Sequence, residues 1–164
     1  MSIEQPCYFI LLPLVCALLV NEHIVDAGQI FCQVVKSGEQ LNITTPFDDE
    51  YINFIEVSVR ADKNNSAQGY EPPLCVCDFS LTQNSLTLLS LDFLLECFYI
   101  GKFDRRAEYI LDLKHTSPKV LAFNLNEPFE IEGRLLYERD MVLLWDCEAM
   151  ESLTSESLLL AITP

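Results

Sequence analysis

Basic residues are scarce in this chain. Ten Lys and Arg stand against 25 Asp and Glu over 164 residues, a formal net charge of −15. So acidic a surface repels phosphate backbones and anionic headgroups, which excludes nucleic acid and stable membrane insertion as modes of action. Histidine is nearly absent, with only His23 and His115 in the chain. No Cys-x-x-Cys pair occurs either, so a zinc site has no ligand set and no metal or other cofactor is expected. No internal repeat or low-complexity tract is visible. Only one long apolar run exists, CYFILLPLVCALLV over residues 7–20, and no second one follows it.

That run spans fourteen uncharged residues. A bilayer-spanning helix needs roughly 20, so the run is short for an anchor and matches the core of a signal peptide. Val25 and Ala27 occupy the small-residue positions before a cleavage site, which makes residues 1–27 a signal peptide and the product secreted and extracellular. The leading MSIEQP has Glu4 and no base, and the alternative for the same run is a buried strand or core helix. Cleavage would leave one domain of about 137 residues with a charge of about −12. Of seven cysteines, Cys32, Cys75, Cys77, Cys97 and Cys147 would remain. Their odd number implies a free thiol or an intermolecular bond, hence a monomer or a disulfide-linked dimer. Asn42-Ile-Thr44 and Asn64-Asn-Ser66 are glycosylation sequons in polar stretches.

Beyond the cleavage site, residues 28–46 read as an irregular N-terminal segment carrying Cys32, and residues 47–164 as a β-domain. Short runs of apolar, β-branched and aromatic residues recur there, bounded by Asn, Ser, Pro or Gly. They cover residues 51–59, 74–81, 86–93, 94–103, 107–113, 118–126, 129–137, 141–147 and 157–162. Gln83-Asn-Ser85 is placed as a hairpin joining the second and third runs. Eight or nine such strands predict an all-β domain, an up-and-down antiparallel barrel of about eight strands or else a sandwich.

The order of these segments resembles the lipocalins, in particular the apolipoprotein-D-like group. Cys75, Phe79, Ser80, Leu81 and Asn84 are similar to that family's second strand and hairpin. Gly101, Phe103 and Ala107 resemble its fourth strand, and Pro118-Lys119 its approach to the fifth. Residues 137–147, YERDMVLLWDC, resemble the seventh strand, and SLLLAITP at 157–164 the last. Three departures stand out: Ile52 and Phe54 replace the Gly-x-Trp signature, Ile162 replaces an Arg, and the family's C-terminal helix is missing.

The resemblance implies a disulfide between Cys32 and Cys147 and a calyx holding a small hydrophobic ligand. Strand parity then assigns Phe79, Leu89, Leu91, Phe103, Val142, Leu144, Leu158 and Leu160 to the calyx and turns Trp145 outward. On this reading the protein is a non-enzymatic carrier of a lipid, pigment or odorant. A secreted interaction domain with a side-chain-filled barrel is one alternative. The other is an isomerase-like enzyme built on a calyx thiol at Cys75 or Cys77, against which stands the absence of any adjacent base.

Overall fold

A barrel closes its sheet on itself, whereas the described strands of this chain lie in four sheets. The computed structural model describes residues 5–60, 74–89, 91, 97–110, 119–145 and 149–163, and these contain strands and turns but no helix. They form two compact units, Met1–Phe79 and Ser80–Pro164.

The first unit contains β1 (Cys7–Val15), β2 (Leu18–Val20), β3 (His23–Val25), β4 (Gln29–Val35), β5 (Ile43–Thr44), β6 (Asn53–Arg60) and β7 (Cys75–Asp78). One sheet runs β6-β1-β4-β7 and the other β3-β2-β5. Phe9 and Leu11 of β1 with Phe31 and Val35 of β4 face Leu18, Val20 and Val25 of the smaller sheet, and together they make a two-layer sandwich. Each such side chain, fully withdrawn from water, contributes about 1.5–3 kcal/mol.

β1 is hydrogen-bonded to β4 on one side and to β6 on the other. Its alternate residues Tyr8, Ile10 and Leu12 are buried as well. A strand buried on both faces reads as an unbroken apolar run. The apolar run of residues 7–20, expected to be a signal-peptide core, here holds β1 and β2. Residues 28–46, expected to be irregular, contain β4 and β5.

The second unit contains β8 (Ser85–Leu89), β9 (Cys97–Phe103), β10 (Glu108–Ile110), β11 (Lys119–Asn124), β12 (Phe129–Ile131), β13 (Arg134–Leu136), β14 (Met141–Trp145), β15 (Ala149–Ser152) and β16 (Ser157–Thr163). Its sheets run β14-β11-β16-β9-β8 and β10-β15-β12-β13. Phe103, Ala122, Leu144 and Leu159 from the first meet Phe129, Ile131, Leu136 and Met150 from the second. Gly101 makes this packing possible. A Cβ there would lie 2.6 Å from the Phe103 ring and 2.8 Å from Leu86, so only glycine lets the ring fold back across its own strand.

The predicted barrel is therefore corrected to two sandwiches. Two local expectations change with it. Residues 129–137 are not one strand but the hairpin β12–β13, turning at Glu132 and Gly133, both with positive φ. Gln83 and Asn84 do not pair β7 with β8. β7 pairs with β4 and β8 with β9, while the Gln83 and Asn84 side chains donate to the Asp104 carboxylate.

The two units repeat one topology. β4-β1-β6 of the first corresponds to β14-β11-β16 of the second, and β3-β2-β5 to β13-β12-β15. Registers agree residue by residue. Leu11 opposite Phe31 matches Ala122 opposite Val142, and Val20 opposite Ile43 matches Ile131 opposite Met150. Backbone specials agree too: Asn21 (φ 53°) matches Glu132 (φ 49°), and Gly28 (φ 88°) matches Arg139 (φ 66°). Between residues 18–34 and 129–145 no aligned pair is identical. A repeat carried by register and turn geometry alone is invisible to residue comparison.

If residues 7–27 supply three core strands, deleting residues 1–27 should abolish cooperative unfolding of the first unit. Hydrogen exchange of β4 and β6 measures this. Slow exchange there in the shortened protein would contradict the assignment of β1 as the strand between them.

Candidate functional site

The expected calyx residues do not share one cavity. Phe103 and Leu144 belong to the interior of the second unit, with Val142 packed beside them. On β16, however, it is Leu159 that enters this interior. Leu158 and Leu160, one residue to either side, therefore lie on the opposite face of the sheet. Leu89 pairs with Phe98 and shares that opposite face, where Leu160 pairs with Phe123. Leu91 is buried. Phe79 lies in the first unit, half-buried, where its N–H donates to the Gly28 carbonyl at 2.9 Å. The second interior is occupied by its own rings: Phe103 meets Phe129 edge-on at 5.3 Å and Tyr109 at 5.7 Å.

The sulfur chemistry gathers on the first unit. Cys32 of β4 lies directly opposite Cys75 of β7, and Cys77 is two residues further along the same face. The Cys75 and Cys77 sulfurs approach to 2.8 Å. Cys32 is a free thiol with no exposed surface; Cys147, its expected disulfide partner, lies outside the described residues. Burial, reinforced by the neighbouring Cys75, Cys77 and Cys7, pushes the Cys32 thiol up to about 12 from an ordinary 9.0. A nucleophilic thiol requires the opposite shift, so Cys32 is inert at neutral pH. Cys7 is likewise raised, mainly by burial.

Metal ligation finds little support in the described residues. His23 is exposed on β3, His115 lies outside the described residues, and no group of three or more His, Cys, Asp or Glu among those described is arranged to hold a metal ion. Of the two sequon asparagines, Asn42 is exposed, with its backbone N–H bonded to the Asn21 side chain at 3.1 Å, and Asn64 lies outside the described residues.

The feature that sequence reasoning missed is on β14. This strand ends its sheet, and among the described residues nothing pairs with its outer edge. Val142 and Leu144 face the interior of the second unit. Met141, Leu143 and Trp145 point outward and are 62%, 44% and 61% exposed. On the neighbouring β11, Leu121 and Phe123 lie opposite Leu143 and Met141 and extend the apolar strip. Edge strands are normally blunted by a charge, a proline or a bulge, and MVLLW carries none of these. The signal was present in the sequence. Apolar residues at both parities of a strand mean that both of its faces are apolar.

No family model matches the chain, and no curated protein matches it. Solved structures do. The chain is similar to YhhW from Escherichia coli (TM-score 0.78, 15% identity), covering 96% of this chain and 71% of that one. A structure of the bacterial pirin YhhW in complex with nickel(II) gives a TM-score of 0.79 at 14% identity, covering 100% and 79%. YhaK, also from Escherichia coli, gives 0.72 at 13%, covering 96% and 77%.

The chain therefore shares its fold with YhhW and YhaK. This likeness overturns the lipocalin resemblance, and with it the secreted carrier of a small hydrophobic ligand, because the strands belong to sandwiches rather than to a calyx. The lipocalin-like segments owed their order to a common property of antiparallel proteins, short alternating strands with polar turns.

The Cys32 shift generates a pH prediction. A thiol whose folded pKa is raised keeps its full contribution to stability below the unfolded value near 9 and loses it as pH rises towards 12. The unfolding free energy of the wild type from urea titration should therefore fall from pH 8.5 to 10.5 more steeply than that of Cys32→Ala, by at most about 1.4 kcal/mol per pH unit. Parallel curves for the two proteins would show that Cys32 is not a buried neutral thiol.

Proposed function

We propose that this chain is a non-enzymatic, cupin-type binding module that engages a partner protein through the outer face of β14. The observation that carries this reading is the exposed strip of Met141, Leu143 and Trp145 beside Leu121 and Phe123. A tryptophan and a methionine at more than half exposure form the composition that recurs at binding hot spots, and a contiguous apolar patch is costly to leave in water without a partner. The nickel(II) of one structural neighbour is not carried over, since the described residues lack a ligand group for it. The tightly filled interior of the second unit favours a surface rather than a cavity as the site of action.

The test is a photo-crosslinking residue placed at position 143 in living cells, with position 135 as the control. Leu135 lies on β13 and is 45% exposed, so it matches Leu143 in exposure but not in location. A discrete adduct from position 143, at least tenfold weaker from position 135 and abolished by Trp145→Asp, is the expected result. Equal adducts from both positions, or none from 143, would overturn the reading.

A further inference from the structure

We infer that the β14 edge captures an extended segment of a basic partner as an added antiparallel strand, with the pattern apolar–any–apolar–Lys or Arg. This rests on the interaction reading above and specifies how the partner is held.

The repeat supplies the template. In the first unit β4 occupies the position that β14 occupies in the second, and its outer edge is covered by β7. Gln29 lies opposite Asp78, Ile30 opposite Cys77, Phe31 opposite Val76 and Cys32 opposite Cys75. Carried through the shared register, Gln29 corresponds to Asp140, Ile30 to Met141, Phe31 to Val142 and Cys32 to Leu143. The edge of this sheet position therefore accepts an antiparallel strand, and in the second unit no described residue pairs with that row of amides and carbonyls.

The correspondence reaches the side chains. Gln29 Oε1 accepts the Asp26 N–H at 2.9 Å, and Asp140 Oδ2 accepts the Tyr137 N–H at the same 2.9 Å. Both turns close with a backbone bond of 3.0 Å, from Gln29 N–H to Asp26 and from Asp140 N–H to Tyr137. Gln29 then uses its remaining amide nitrogen to donate to Asp78 of the covering strand at 2.8 Å. Asp140 has an oxygen where Gln29 has that nitrogen. The residue facing it must be a donor, and a cation suits it best. The two residues opposite Met141 and Leu143 must be apolar, because they lie on the exposed apolar face.

Charge decides between occupants. With a net charge of −15, a second copy of this chain is repelled, and a symmetric β14–β14 pairing brings like charges together. A basic partner is attracted.

The chain contains one tryptophan, Trp145 on β14, so its emission reports directly on this edge. Titrating the whole protein with a ten-residue peptide carrying valine-threonine-valine-lysine between lysines should give a saturable blue shift. It should also slow exchange of alternate β14 amides. Replacing the lysine expected opposite Asp140 with glutamate should weaken binding at least tenfold. Asp140→Asn, which keeps the turn acceptor, should weaken binding of the original peptide about fivefold. A peptide with the same side chains but alternate amides N-methylated should not bind. Equal binding of the methylated peptide would overturn strand addition while leaving the apolar-face reading intact. No shift with the patterned peptide, or β14 amides already protected in a dimer of the protein alone, would also overturn the inference. Crosslinking from position 143 judges the broader reading independently.

Discussion

A β-sheet can end only where its last row of amides and carbonyls is met by water, by another strand or by a covering segment, and the architecture of this protein follows from how each sheet meets that condition. In the first unit β1 is satisfied on both sides by β4 and β6, and β7 closes the far side of β4. In the second, β11 is satisfied by β14 and β16, and the sheet is prolonged beyond β16 by β9 and β8. The two units share a scheme of pairing and differ in which edge receives extra strands. That difference leaves β14, with its apolar outer face, at the end of a sheet.

Much of the strand content was legible in the sequence. Residues 51–59, 94–103, 118–126, 141–147 and 157–162 each contain a strand, because period-two alternation and bounding turn residues are local signals. Leu144 was set inward by its place before the cysteine of the lipocalin-like seventh strand, and parity carried that to Val142 and, with opposite sense, to Trp145. Pairing between strands was not legible, because an antiparallel ladder is non-local and its partners carry no residue code. The hairpin assumed at Gln83-Asn-Ser85 failed for this reason. Leu158 and Leu160 were set inward by parity, and a shift of one residue puts Leu159 there instead.

The N-terminal run shows a different kind of ambiguity. A signal-peptide core and a strand buried on both faces are both uncharged apolar segments of similar length, so composition cannot separate them. The repeat was hidden for a complementary reason: its conserved quantities are register, turn hydrogen bonds and positive φ, and Gly28 and Arg139 fill the same conformation with unrelated side chains. That a two-sheet sandwich tolerates so complete a change of side chains agrees with cores that require volume and polarity more than identity.

The central claim is that β4 and β14 are equivalent strands with different edges, one covered by β7 and one with no partner among the described residues. Amide hydrogen exchange on the isolated full-length protein tests it most directly. The account predicts slow exchange at every amide from Ile30 to Cys32, bonded on both sides, and alternation along Met141–Trp145, with the amides facing β11 slow and the others fast. Uniform protection along β14 would mean that its edge is already paired and would contradict the account.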